Sequence, residues 1–544
     1  MSADRWITDY TVSSRYPVYT RANAGEVLPD PACPLGVTTV WKATNEGWRD
    51  AQISVGTCEP HEIDPEEVTG MFGGYLYINA SLARIFGVRG PDLSAEIVDF
   101  TYFGDHPDAP PYVAEDWHDS PDNTAKMGAW MQHVLTGDLD VLIDDQNEAN
   151  RLRAARPDLT RLTDFELVER ARSLLPMVRR LFERHLTVTA GASIGPGILA
   201  AIAEAMGDPS IALHLITGVG DVDSALPSRA MWQLSRLDAD SPEFEAGFDS
   251  FLFEYGSRGP NEWDIISDVW ETKPELALSL IGVMRKQGAD GDPAARSAVA
   301  ATERLAVTAQ IRDALAGDAE ALAQFEAGLV SAHSYLAGRE RAKTNIIKVI
   351  NEVRVAFREL ARRHAVGVTE FHMLLDDELE AFLNSPDDFH TRLTRRSVEY
   401  GALFDLEPPF IINGSVPSLT EWLEKGETAI AVSKAGDVLR GVPGCPGVVT
   451  GRARVILDPS DPMALEPGEI LIAPFTDPAW TPLFVPAAGV VVNVGAQVSH
   501  AIIVSRELGI PCVVSVTGAT EAIPDGATVT VDGGAGTVTV LRHE

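Results

Sequence analysis

The spacing of apolar residues divides the chain into two parts. From Thr124 to about Phe382 apolar side chains recur three and four positions apart, most clearly over Leu162–Leu175, Ile198–Met206 and Phe244–Phe253, which predicts helices packed by one face. The segment Thr189–Ile198 lacks the Lys-Ser/Thr ending of a phosphate loop and reads as a helix-to-helix junction. Asp292–Gly338, rich in Ala, Glu and Leu, predicts a helical hairpin, and a long helical pattern follows from Ala337 to about Ala365. Ahead of these, Pro17, Pro29, Pro31 and Pro34 break Trp6–Trp41 into an irregular opening arm, and Met71–Val98 mixes short strand-like and helical pieces. Beyond Pro446 the pattern changes to short β-branched runs at Val448–Leu457, Glu469–Ala473, Val490–Val494, Val513–Val516, Thr528–Val531 and Gly536–Leu541. Between the two patterns, Gly436, Gly441 and Gly444 alternate with Pro443 and Pro446. The expectation is a multidomain α+β protein: a mainly helical domain over 1–435, a hinge at 436–446, and a small α/β domain with few helices over 447–544.

Within the second part, Val490–Val514 reads V-V-V-N-V-G-A-Q-V-S-H-A-I-I-V-S-R-E-L-G-I-P-C-V-V, two buried strands flanking one short helix. Ser499 is the expected N-cap, and Gly509 followed by Pro511 stops the helix. His500 then lies in the first turn, where unpaired backbone N–H groups and the helix dipole favour an anion. The dipole supplies only about 0.3–1 kcal/mol, so it tunes a phosphorylated imidazole without creating one. Gly495 and Ala496 leave room for oxygen atoms beside the backbone, and an imidazole with a pKa of about 6.5 is an available nucleophile near neutrality. Taken alone, the same pattern also describes a capping histidine beside a tight turn.

Composition narrows the partners. The 544 residues are 45% hydrophobic and 23% charged, with a net charge of −35, a balance that repels nucleic-acid backbones and anionic membranes. Cys33, Cys58, Cys445 and Cys512 form no C-x-x-C pair, which argues against structural zinc or a disulfide scaffold and leaves no expected metal site. With no signal segment and no run of about 20 apolar residues, the expected location is the cytoplasm.

Two charged stretches complete the candidates. Phe251–Ile265, F-L-F-E-Y-G-S-R-G-P-N-E-W-D-I, ends a helix in a loop that brings Arg258, Glu262 and Asp264 together, either as an ion pair fastening the loop or as a substrate or phosphate site. Arg341 and Lys348, and then Arg354, Arg358 and Arg362, share faces of the long helix. They either guide a phosphorylated partner, with Arg354 and Arg358 the candidates, or form a solvated face paired with Glu352 and Glu359.

Four ordered blocks carry a family resemblance: G-C-P-G-V-V-T-G-R-A-R-V (Gly444–Val455), P-G-E-I-L-I-A (Pro467–Ala473), T-D-P-A-W-T-P-L-F (Thr476–Phe484) and the His500 stretch. Together they resemble the phosphohistidine swivelling domain of PEP-utilising dikinases, and the resemblance assigns the phosphoryl-accepting role to His500. Ala496 stands where that family usually has glycine. A-N-A-G-E-V-L-P (Ala22–Pro29), the Arg258 loop and F-H-M-L-L-D-D-E-L-E-A-F (Phe371–Phe382) resemble the substrate region of rifampicin phosphotransferases, with Ser257 in place of the usual His. No nucleotide-binding domain and no C-terminal (β/α)₈ barrel are recognisable, so the chain is similar to the His-bearing subunit of a split dikinase such as phenylphosphate synthase. That similarity implies ATP and Mg on a separate ATP-grasp subunit, no cofactor bound by this chain, and a small, phenolic acceptor. A rifamycin phosphotransferase component and a non-catalytic phosphohistidine signalling module are the alternatives.

Overall fold

The computed structural model describes residues 4–103, 106, 108–220, 222–288, 291–426, 431–457, 459, 465–476, 480–495 and 499–542. Its principal elements, in chain order, begin with β1 (Val18–Thr20), α1 (Lys42–Ser54), β2 (Thr69–Phe72) and β3 (Tyr75–Asn79). The helical region then supplies α2 (Asp164–Gly191), α3 (Ile194–Ala205), α4 (Leu226–Ser235), α5 (Pro242–Tyr255), α6 (Glu275–Lys286), α7 (Pro293–Leu315) and α8 (Ala319–Arg363), followed by strand β4 (Ile411–Asn413). The last part contains β5 (Val438–Arg440), β6 (Val442–Cys445), β7 (Val448–Val455), β8 (Ile470–Ala473), β9 (Gly489–Val492), α9 (His500–Leu508), β10 (Cys512–Val514), β11 (Thr528–Asp532) and β12 (Thr537–Arg542). The protein is a multidomain α+β molecule, as expected.

Helix α8 is the axis of the large domain. Its 45 residues merge the second arm of the expected hairpin with the long helix into one rod, started by Asp318, whose carboxylate accepts from Glu320 N and Ala321 N. From Ile346 to Leu360 it is apolar on several faces. Ile346, Ile347, Ile350, Val353 and Phe357 pack with Leu167, Ala171, Val178 and Leu181 of α2 and with Tyr19, Phe72 and Tyr77 of the N-terminal sheet. The run Asp164–Ala205 is long and apolar enough to cross a membrane by length and composition, where the sequence suggested no such run. Here α2 and α3 pack along α8, with Val188, Ala192 and Leu199 buried.

The opening arm is less irregular than expected. β1 pairs antiparallel with β3 and also with β4, Tyr19 facing Asn79 on one side and Ile412 on the other. Strands of three residues leave no periodic signal, and the partner of β1 lies almost at the other end of the domain.

The C-terminal domain is one eight-stranded mixed sheet in the order β5-β12-β11-β7-β8-β9-β10-β6. Strands β7, β8, β9 and β10 run parallel, and α9 crosses over between β9 and β10. One face packs Leu471, Val490 and Val492 against Ala501, Ile502 and Val504 of α9, while the other buries Ile470, Val491, Val529 and Val538. The segment 436–446, expected as the hinge, contains the two edge strands β5 and β6, which pair with β12 and β10. The glycines there serve close approach: a Cβ at Gly441 would lie 2.3 Å from Val514 O, and one at Gly444 would lie 2.9 Å from Cys512 O.

Candidate functional site

His500 opens α9, and Gly509 ends that helix in the left-handed conformation at φ 62°, both as the sequence predicts. Ser499 occupies the N-cap position but makes no side-chain cap bond, and its Oγ has no partner among the described residues. Gly495 is fixed by packing, since a Cβ there would lie 2.7 Å from Val514 Cβ. Ala496 lies outside the described residues.

The imidazole is 7% exposed and touched at both nitrogens. Nδ1 is 3.1 Å from Thr476 Oγ1 and Nε2 is 3.0 Å from Thr481 Oγ1. A hydroxyl donates or accepts as required, so this pair accommodates either neutral tautomer. Phe484 meets the ring edge-on at 6.0 Å. Thr476, Thr481 and Phe484 all come from the T-D-P-A-W-T-P-L-F block, which thus builds the wall around the histidine.

The ring faces the helical domain across a cavity of about 50 Å³ lined by Glu26, Val27, His185, Asn261, Glu262, Trp263, Arg339, Glu340, Lys343 and Thr476. At roughly 10–15 Å³ per water, the space holds a few waters or one phosphoryl group. Burial, and then the cations Lys343, Arg258 and Arg339, hold His500 well below the ordinary imidazole pKa, so it is neutral. The same cations favour an anion placed beside the ring.

The Arg258 loop contributes two of the sequence candidates. Arg258 donates through Nε to Glu262 Oε2 at 2.7 Å and through Nη1 to Thr344 Oγ1 at 3.0 Å. Its Nη2 is buried with no partner among the described residues. Lys343 Nζ stands 3.1 Å from the other oxygen of Glu262. Burial pushes the Glu262 carboxyl up, but Arg258 and Lys343 outweigh it and hold the group below the ordinary range. The loop thus forms the ion pair, one of the two alternatives in the sequence, while Glu262 also lines the cavity beside His500.

Three candidates point elsewhere. Asp264 accepts from Cys33 N and Cys33 Sγ, both at 2.9 Å, and so ties the loop to the N-terminal arm. Arg354 is fully buried and donates to Asn351 Oδ1 at 2.8 Å and to the carbonyls of Glu262 and Asp264. Arg358 donates to Ile266 O and pairs with Asp268, each at 2.8 Å. These arginines fasten the loop from behind because its turn leaves carbonyls without strand or helix partners.

Sequence reasoning missed Arg339, Glu340 and Lys343. Arg339 and Lys343 are four apart on α8 and so share a face, a signal present in the sequence but no different from that of Arg354 and Arg358. His185 lines the same cavity. His185 Nδ1 is buried without a partner among the described residues, and burial followed by Arg339 and Lys343 pushes the ring down to about 3. Among the described residues no group of three His, Cys, Asp or Glu side chains could hold a metal ion.

Comparison with known proteins agrees with this architecture. Residues 465–536 match the PEP-utilising enzyme mobile domain, and residues 184–340 match the rifampicin phosphotransferase fourth domain. The chain thus carries two domains characteristic of dikinase-type phosphotransferases. An uncharacterized Mycobacterium tuberculosis protein is 27% identical over 98% of this chain and 62% of its own length. A prodigiosin synthesizing transferase of Serratia marcescens is 31% identical over 58% of the chain and 34% of its own length. A rifampicin phosphotransferase of Streptomyces sviceus is 30% identical over 55% of the chain and 35% of its own length. The chain spans between a third and just under two thirds of these relatives.

Proposed function

We propose that this chain carries a phosphoryl group on His500 and delivers it to the hydroxyl of a small organic acceptor at the mouth of the cavity. The observation that carries this reading is a neutral, buried His500 facing Lys343 and Arg339 across a space the size of a phosphoryl group, with the charge of Arg258 behind Glu262 adding to theirs. In the first half-reaction a ring nitrogen, released from its threonine, attacks phosphorus of a phosphoryl donor; the P–O bond to the donor's leaving group breaks, its electron pair stays on that oxygen, and the ring gives up one proton. The donor we propose is MgATP on an ATP-grasp partner, reached when the sheet domain turns on the chain preceding Val438. In the second, the acceptor oxygen attacks phosphorus and the P–N bond breaks. Its electron pair returns to the imidazole, which recovers a proton equivalent to the one the hydroxyl loses. Lys343 and Arg339 face the oxygens as charge moves onto them, and the buried Arg258 adds its field from behind Glu262.

The apolar walls, Val27 and Trp263, and the small volume favour a compact aromatic alcohol, whose pKa near 10 leaves little proton abstraction to the protein. A rifamycin-sized acceptor would require the cleft to widen, and the relative named rifampicin phosphotransferase keeps that second reading open to test. A pure signalling module has no need of a cation-lined cavity opposite its histidine.

The test is to incubate the chain with labelled ATP and an ATP-grasp partner. Acid-labile, alkali-stable label should form and should vanish in His500→Ala; label retained in that variant would reject the assignment. Discharge by a panel of phenols, aliphatic alcohols and a rifamycin then identifies the acceptor class.

A further inference from the structure

Seven residues after His500, on the same helix, Glu507 is 3% exposed although it belongs to the domain that carries the histidine and touches the other one. Its Oε1 accepts from Val219 N at 3.1 Å and its Oε2 from Gly220 N at 3.0 Å, both in the helical domain. The carbonyl of the preceding Arg506 accepts from Gly218 N at 3.0 Å. Three successive backbone N–H groups thus converge on the C-terminal half of α9, an anion-binding concavity of main chain. Glycine is required to shape it. Gly218 and Gly220 have φ of +62° and +82°, and a Cβ at Gly218 would lie 2.6 Å from Ala301 N. Arg304 on α7 closes the loop from behind, donating to Gly218 O from Nε at 3.2 Å and Nη2 at 3.1 Å.

We propose that Glu507 is a reversible clamp that seats the sheet domain on the helical domain and thereby sets the position of His500 at the cavity. The inference rests on His500 as a phosphoryl carrier and adds the element that fixes where it delivers. Two turns of rigid helix, about 10 Å, separate the clamp from the histidine, so seating one end fixes the other. A carboxylate suits a domain that must also leave. It makes two charge-assisted bonds when docked and returns to water when free, whereas an apolar contact of equal strength would stay exposed after release. Val485, 1% exposed and packed with Met231, Trp232 and Trp270, supplies a smaller apolar contact at the same interface.

The four native cysteines are buried, so spin labels can be directed to Val398→Cys and Val448→Cys, which replace side chains 70% and 67% exposed on the two domains. The protein with both labels should give one narrow distance. Glu507→Ala should add a second, longer population, Arg304→Ala a smaller one, and Glu507→Asp should keep most of the docked peak. Loss of bonds worth about 1.5 kcal/mol or more predicts at least a roughly tenfold shift in docking, with phospho-His500 formation unchanged and its discharge slowed to match. A narrow distance that persists in both Glu507→Ala and Arg304→Ala overturns the clamp. A shifted distance in a protein whose His500 never takes label upholds the clamp and rejects the carrier.

Discussion

Two pairs of cations on one helix have opposite fates. Arg339 and Lys343 lie on α8 where it passes the sheet domain, and they face His500 across the cavity. Arg354 and Arg358 lie about four turns further on, where the same helix runs beneath the Arg258 loop, and they donate to carbonyls of Glu262, Asp264 and Ile266. Charge and spacing are the same in both pairs. What differs is the space beside each cation: Arg354 and Arg358 are closed off by loop carbonyls, whereas Lys343 and Arg339, although paired with Glu262 and Glu340, also border the open cavity.

The comparison breaks first at Arg354. It is fully buried and clamps two carbonyls, so Arg354→Ala should lower folding stability by about 3–5 kcal/mol, seen as a fall in urea midpoint at an unchanged slope. Lys343→Ala leaves the buried Glu262 still paired with Arg258, so it should lower that midpoint by clearly less than Arg354→Ala, yet slow discharge of phospho-His500 roughly a hundredfold. Equal stability losses in the two variants would erase the distinction.

A smaller effect follows from pH. Burial pushes both His185 and His372 down to about 3, so below pH 6.5 the unfolded chain binds protons that the native one refuses. Stability is therefore full above about pH 6.5 and falls continuously as pH drops toward 3. At pH 5 each histidine should account for on the order of 2 kcal/mol. His372→Asn should flatten the pH dependence of the urea midpoint; an unchanged slope would show that the ring is protonated in the native state. Smallest of all, Thr481→Val removes one hydroxyl contact to His500 and should change the rate of phosphorylation by about tenfold or less, measured as initial label incorporation.

Local signals were legible and relational ones were not. The β9–α9–β10 unit could be read almost to the residue because its strands are β-branched, its helix is bounded by Ser499 and Gly509, and its parts adjoin in sequence. The Thr476 block was recognisable by resemblance, yet its contact with both ring nitrogens depends on how the sheet folds back. Pairing of β1 with β4 joins segments almost 400 residues apart, beyond the reach of periodicity. Gly436–Pro446 suggested a hinge because glycine and proline mark both flexible turns and tightly packed edge strands. Asp264 suggested a site residue because the sequence does not show that Cys33 would meet it.

The most direct test of the account is the rate at which His500, preloaded with labelled phosphoryl, discharges to a phenol panel in Lys343→Ala and in Arg358→Ala. The account predicts label confined to His500, discharge about a hundredfold slower in Lys343→Ala, and a rate within a few fold of the parent in Arg358→Ala. Equal rates in the two variants, or label on a residue other than His500, would contradict it.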